Sequence, residues 1–134
     1  MKKSLVCAVT LGLALVGVSA HAQTATHEDA ATAHAKTASK RSVNYSCQSG
    51  KKVTVTYGFN KQGMPTYAQA TLNGKSRFMP INLNRSDSVD TVFGDENNFS
   101  LSTSAMNKNN YRKISVSIMS PASEILFKNC KAGK

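Results

Sequence analysis

Three runs in this chain alternate apolar and polar residues with a period of two, and this alternation restricts the fold more than any other feature. In 51–59, "KKVTVTYGF", Val53, Val55, Tyr57 and Phe59 fall on one side, and Thr54, Thr56 and Gly58 on the other. In 99–106, "FSLSTSAM", Phe99, Leu101, Thr103 and Ala105 oppose Ser100, Ser102 and Ser104. In 113–119, "KISVSIM", Ile114, Val116 and Ile118 oppose Ser115 and Ser117. Successive side chains of a strand point to opposite faces, so each run predicts a strand with one buried and one wet face. No segment of 42–134 carries a sustained helical period.

Turn chemistry separates the runs: "NKQG" at Asn60, "NG" at Asn73, "GDENN" at Gly94, "NKNN" at Asn107 and "SPAS" at Ser120. Asn73-Gly74 is the strongest hairpin signal, because a type I′ turn needs positive φ at both central positions. Strands are expected at roughly 43–48, 51–59, 65–72, 75–79, 89–94, 99–106, 111–119 and 124–130. Pro65 and Pro80 fall at strand boundaries, where a missing N–H costs least. Short connections make neighbours antiparallel. The expected fold class is all-β, a small eight-stranded antiparallel β-barrel, since closure removes exposed edges.

The ends of the chain have other tasks. Residues 1–22 read as a cleaved signal peptide: Lys2 and Lys3, an apolar run from Leu5 to Val18, then Ala20 and Ala22 with the spacing of a signal peptidase site. The apolar run is too short for a stable membrane span, and Cys7 leaves with it. Residues 23–41 hold Ala, Thr and charge with no large apolar side chain, so they read as a flexible tail. His27, Glu28, Asp29 and His34 sit there with no closed metal site, and neither metal nor cofactor is expected. The folded domain is expected over 42–134. Its two cysteines, Cys47 and Cys130, lie near its ends, and an exported chain meets an oxidising compartment, so they are expected to form one disulfide that closes the barrel. The periplasm, the outer-membrane surface or the medium is the expected location.

The domain lacks catalytic parts. It contains no His, so a Ser or Cys nucleophile would have no customary base. It shows no phosphate loop and no metal-ligand spacing. The close carboxylates all lie in one stretch that includes a hairpin turn. The chain is therefore expected not to be an enzyme. From Ser42 onward Lys+Arg number 12 and Asp+Glu 5, a net +7. Basic barrels can bind nucleic acid by stacking, but an exported chain does not meet that task, and no nucleic-acid partner is expected. Anionic surfaces remain as partners.

Against that positive background, "DSVDTVFGDEN" at 87–97 gathers Asp87, Asp90, Asp95 and Glu96, four of the seven acids in the chain. Such a cluster is either a hydrophilic hairpin or a docking edge for a cationic partner.

The residues also resemble a known family. "YSCQSGKKVTVTYGFNKQG", with Tyr45-x-Cys47 and then Val53-x-Val55-x-Tyr57, and the closing "FKNC" at Cys130 are similar to the bacterial inhibitors of c-type lysozyme, the MliC/PliC group. Nearer still is a likeness to the adhesin complex proteins of Gram-negative pathogens, in "VTYGFNKQG", "MPINL", "NNYRK" and "ILFKNC". The resemblance covers 43–131. It implies an eight-stranded barrel that blocks the cleft of host c-type lysozyme, and a role in contact with host cells. The inhibitors typically carry Ser-Gly-x-x-Tyr and, later, Lys-Gly. Here Ser88 stands at the motif serine, Val89 replaces the glycine, and Phe93 is the aromatic one place late; Thr103-Ser104 stand where Lys-Gly would fall. The resulting candidate lysozyme-binding residues are Asp87, Ser88, Asp90, Phe93, Asp95, Glu96, Thr103 and Ser104. Lysozyme is itself strongly basic, so a locally negative edge would be needed for productive encounter. The second expected function is a basic adhesin module that binds anionic host glycans without inhibiting lysozyme.

Overall fold

The computed structural model describes residues 30–133. The signal-like segment and residues 23–29, with His27, Glu28 and Asp29, lie outside them. The described chain forms a short helix, α1 (Ala30–Lys36), and eight strands: β1 (Ser39–Ser46), β2 (Lys52–Phe59), β3 (Pro65–Leu72), β4 (Lys75–Pro80), β5 (Asp90–Gly94), β6 (Ser100–Ser104), β7 (Val116–Met119) and β8 (Ile125–Ala132). Among the described residues no helix is long and apolar enough to cross a membrane.

The strands form one antiparallel sheet ordered β4-β3-β2-β1-β8-β7-β6-β5, with, among the described residues, one further bridge, Ile81 to Phe93, bringing its two edges together. The sheet is thus nearly closed into a barrel. The alternation of 51–59 holds: Val53, Val55, Tyr57 and Phe59 are buried. They meet Val43, Tyr45, Phe93, Leu101, Val116 and Ile118 in the core. The Asn73-Gly74 turn has φ of 52° and 81°, as the type I′ hairpin requires. At Gly58 the register with β3 shifts, and a Cβ there would strike the Tyr67 ring. Pro65 opens β3 and Pro80 closes β4, as expected.

The disulfide joins Cys47 to Cys130. It does not sit at the free edges of the sheet. β1 and β8 already pair, through Tyr45–Ala132 and Ser46–Lys131, and the bond lies beside that short ladder. The free edges are β4 and β5.

Two boundaries depart from expectation. Residues 30–41, expected within the tail, are ordered. Ala33 is fully buried, the Thr37 hydroxyl donates to the Ala33 carbonyl at 2.7 Å, and the His34 ring stacks on Phe78 at 4.7 Å. A small residue that lets backbone approach the barrel, together with an imidazole laid on an aromatic, does the work that large apolar groups usually do. The seventh strand, expected over 111–119, starts only at Val116. Asn107 accepts the N–H groups of Asn109 and Asn110 at 2.8 and 3.1 Å, and the Asn110 amide donates to the Ala105 carbonyl at 2.9 Å. These side chains offer the backbone a turn in place of the ladder.

Candidate functional site

The chain rises and falls through the barrel, so its connections collect at two ends. The C-terminus of α1, the β2–β3 turn, the β4–β5 connection and the β6–β7 connection share one end. Together they surround a groove of about 450 Å³, lined among others by Lys36, Met64, Ile81, Leu83, Asp87, Ser88 and Met106. Asparagines shape its walls. Asn60 accepts the N–H groups of Gln62 and Met64 at 2.9 and 3.0 Å, so the β2–β3 turn holds Met64 outward. The Lys108 N–H donates to the Gly63 carbonyl at 2.8 Å and ties that turn to the β6–β7 connection.

The floor of the groove is apolar, with buried Ile81 and Met106. Its margin is apolar too. Leu83 is 61% exposed, Met64 50% and Val89, next to Ser88, 67%. Three of the four large apolar side chains left in water among the described residues thus stand at one end of the barrel. Single exposed apolar residues need no explanation, but a group around a concave floor marks a candidate interaction site.

Asp87 is built into this end. Its carboxylate accepts the N–H groups of Asp90 and Val89, each at 2.8 Å. These bonds, that of Asp90 first, hold its carboxyl below the usual carboxylate range. They also fix the loop that presents Ser88 and Val89. Across the β5–β6 ladder Asp90 pairs with Ser104 and Thr91 with Thr103.

The structure therefore divides the predicted residues. Asp87, Ser88, Asp90 and Ser104 come together, exposed, at the groove end. Asp95 and Glu96 do not join them. They follow β5 at its opposite end, where Asp95 accepts the Asn97 N–H at 2.9 Å; the β4–β5 connection folds back along β5 through the Asn82 bonds to Val92 and Gly94 and brings Arg85 to 3.9 Å from Glu96. Asp90 opens the strand and Asp95 follows it, five residue steps or about 17 Å apart at the usual rise. Thr103 is buried, and its hydroxyl donates to the Ser115 carbonyl at 2.6 Å. Phe93 is fully buried against Tyr57, with ring centroids 5.8 Å apart, so it serves the core and presents nothing to a partner. The apolar contributors Met64, Leu83 and Val89 were missed. For Met64 and Leu83 the signal was available, since each is an apolar residue between expected strands; Val89 gave none, because it opens the expected strand 89–94.

A small, disulfide-clamped β-barrel with an open, apolar-floored groove at one end is the class of protein this geometry defines. Within it, the chain belongs to the ACP-like domain family, whose model matches residues 41–132. The chain is also similar to a solved structure, the Adhesin Complex Protein from Neisseria meningitidis. The two are 50% identical with a TM-score of 0.66, and the match covers 69% of this chain and 99% of that one. No curated protein matches the chain.

Proposed function

We propose that this chain is an exported inhibitor of c-type lysozyme, docking by its groove end and occluding the enzyme's cleft, and that it also serves as an adhesin at the cell surface. The observation that carries the docking is the grouping of Asp87, Ser88, Asp90 and Ser104 beside exposed Met64, Leu83 and Val89. Apolar anchors supply desolvated contact, while the acids oppose the cationic surface of lysozyme and speed encounter. The likeness of the chain's opening and closing motifs to lysozyme inhibitors supports the partner, and the adhesin named among its structural relatives supports the second role. The protein performs no chemistry on lysozyme; it acts by stoichiometric occlusion.

The test is titration of purified protein into a c-type lysozyme lysing bacterial cell walls. Activity should fall in proportion to added protein and vanish near equivalence. Full activity under a large molar excess would sink the reading, and so would inhibition by catalytic amounts. Leu83→Ser together with Val89→Ser should weaken inhibition without lowering the melting temperature, since both side chains are exposed.

A further inference from the structure

The groove uses few of the protein's cations. Many of the others collect along the β1–β8 seam. Ser46 pairs with Lys52 on β2 and with Lys131 on β8, and all three face solvent, so two lysines flank a serine in one row. Two strand spacings place their backbones about 10 Å apart. Lys131 also lines a pocket of about 390 Å³ with Arg112, Lys113 and Ala132. Lys52 lines a second pocket, of about 730 Å³, with Asn44, Thr54, Thr71, Phe127 and Gly133. The Arg112 guanidinium of the first pocket donates to the carbonyl of Gly133 in the second at 2.7 Å, so the two pockets adjoin. Lys51 stands beside the second, its ammonium 5.7 Å from the Phe127 ring centre and donating to the Leu126 carbonyl at 3.0 Å. Among the described residues no Asp or Glu lines either pocket.

Cations alone suit any polyanion, but the larger pocket adds chemistry of another kind. Asn44, Thr54 and Thr71 bring an amide and two hydroxyls from three adjacent strands, and the Thr54 hydroxyl donates to the Asn44 side-chain amide oxygen, Oδ1, at 2.7 Å. A half-buried aromatic, Phe127, completes the wall. Fixed hydroxyl and amide groups beside one aromatic face match a sugar ring, whereas sequence-tolerant single-strand binding uses successive stacking platforms. Lysine and arginine beside them match sulfate or carboxylate groups.

We propose that the β1–β8 seam binds a linear acidic polysaccharide. Its anionic groups would lie on Lys52, Lys131, Arg112 and Lys113, and its sugar hydroxyls on Asn44, Thr54 and Thr71. The proposal develops the adhesin half of the function above and stands apart from the lysozyme half. The experiment is calorimetric titration with a heparin octasaccharide at physiological ionic strength. Two variants of equal net charge are compared, Lys52→Gln/Lys131→Gln at the seam and Lys61→Gln/Lys108→Gln elsewhere. The seam pair should lose about tenfold in affinity and the control pair under about twofold. Thr54→Val keeps shape and removes the hydroxyl; it should weaken the sugar about threefold and leave binding of single-stranded DNA unchanged. Lysozyme inhibition should be the same in the seam variant and the wild type, which separates failure of this site from failure of the groove. Equal losses in the two pairs would overturn the proposal. So would an absence of heparin binding, or binding of single-stranded DNA or phosphatidylglycerol vesicles as tight as that of the sugar.

Discussion

Between β1 and β8 the barrel is held by two residue pairs and a disulfide; between β4 and β5 it is held by one bridge and the neighbouring loop. At the second seam Asn82 carries much of the connection. Its backbone N–H donates to the Val92 carbonyl at 2.8 Å, and its side-chain amide donates to the Gly94 carbonyl at 2.8 Å. The covalent seam lies beside a cationic face, while the hydrogen-bonded seam opens into an apolar-floored groove with acids at its margin. The contrast shows how a small domain can carry a binding end. A covalent clamp across nearly the whole barrel domain secures the fold, so the loops of the other seam can expose Leu83 and Val89 without having to hold the barrel together. Binding loops are drawn from the less stable parts of a structure for the same reason.

The comparison is tested most severely by removing the clamp. The disulfide spans 83 residues of sequence. On the chain-entropy model a loop of that length stabilises the fold by about 4–5 kcal/mol. Cys130→Ser is expected to lower the melting temperature by about 10 °C or more. An unchanged melting temperature, or two free thiols in the native protein, would show that the β1–β8 ladder holds without covalent help.

The shared core responds to alkali. The Tyr45 and Tyr57 hydroxyls hydrogen-bond each other at 2.6 Å inside the barrel. Burial pushes the Tyr45 phenol up to about 12 and Tyr57 well above its ordinary value of 10.0. A raised folded-state value means that the stability is intact below the unfolded pKa, near 10, and is lost as pH rises toward and through the folded values. At pH 11 the two groups together should cost about 3 kcal/mol relative to pH 9. Urea unfolding at the two pH values measures this, and Tyr45→Phe should reduce the dependence by about half. A flat profile between them would mean that the phenols are reached by water.

At the hydrogen-bonded seam the expected effect is smaller. Asn82→Ala leaves the buried Gly94 carbonyl without its side-chain donor, a loss of about 1–3 kcal/mol in urea unfolding. It should also loosen the loop that carries Leu83 and Asp87, so lysozyme inhibition should fall by more than the stability loss alone explains. Lost stability with full inhibition would detach the groove from the seam.

The strands were legible because burial in a barrel alternates residue by residue, and 51–59 records that alternation directly. The cysteine pair was legible too, since an even pair near the ends of a domain expected to be exported has few other uses. Other features depended on contacts between distant segments, which periodicity does not record. The helix Ala30–Lys36 packs through an alanine and a stacked imidazole, neither of which raises hydrophobicity. The shortening of the seventh strand follows from asparagine side chains capturing backbone groups. Phe93 resembled a motif aromatic at a binding loop, yet the same residue fills the core where β5 meets Tyr57. The acids at 87–96 looked like one cluster because sequence distance hides the strand between them.

That division yields the finest test of the two ends. Asp90→Lys and Glu96→Lys change net charge by the same amount, so their long-range effect on a cationic lysozyme is alike. They differ in place: Asp90 opens β5 at the groove end, and Glu96 lies beyond Gly94 at the other end. If lysozyme docks on the groove, Asp90→Lys replaces a rim attraction with a repulsion, about 0.5–2 kcal/mol or roughly two- to thirtyfold in dissociation constant. Most of that loss should fall in the association rate and shrink at high salt, which screens exposed charge. Glu96→Lys should weaken binding only by its share of the long-range field, under about twofold. Ser88→Ala, beside Asp90 but uncharged, should instead speed dissociation and show little salt dependence. Lysozyme binding by the three variants at two ionic strengths separates these effects. Equal weakening by the two charge reversals would mean that only net charge is felt and that lysozyme docks on neither end of β5.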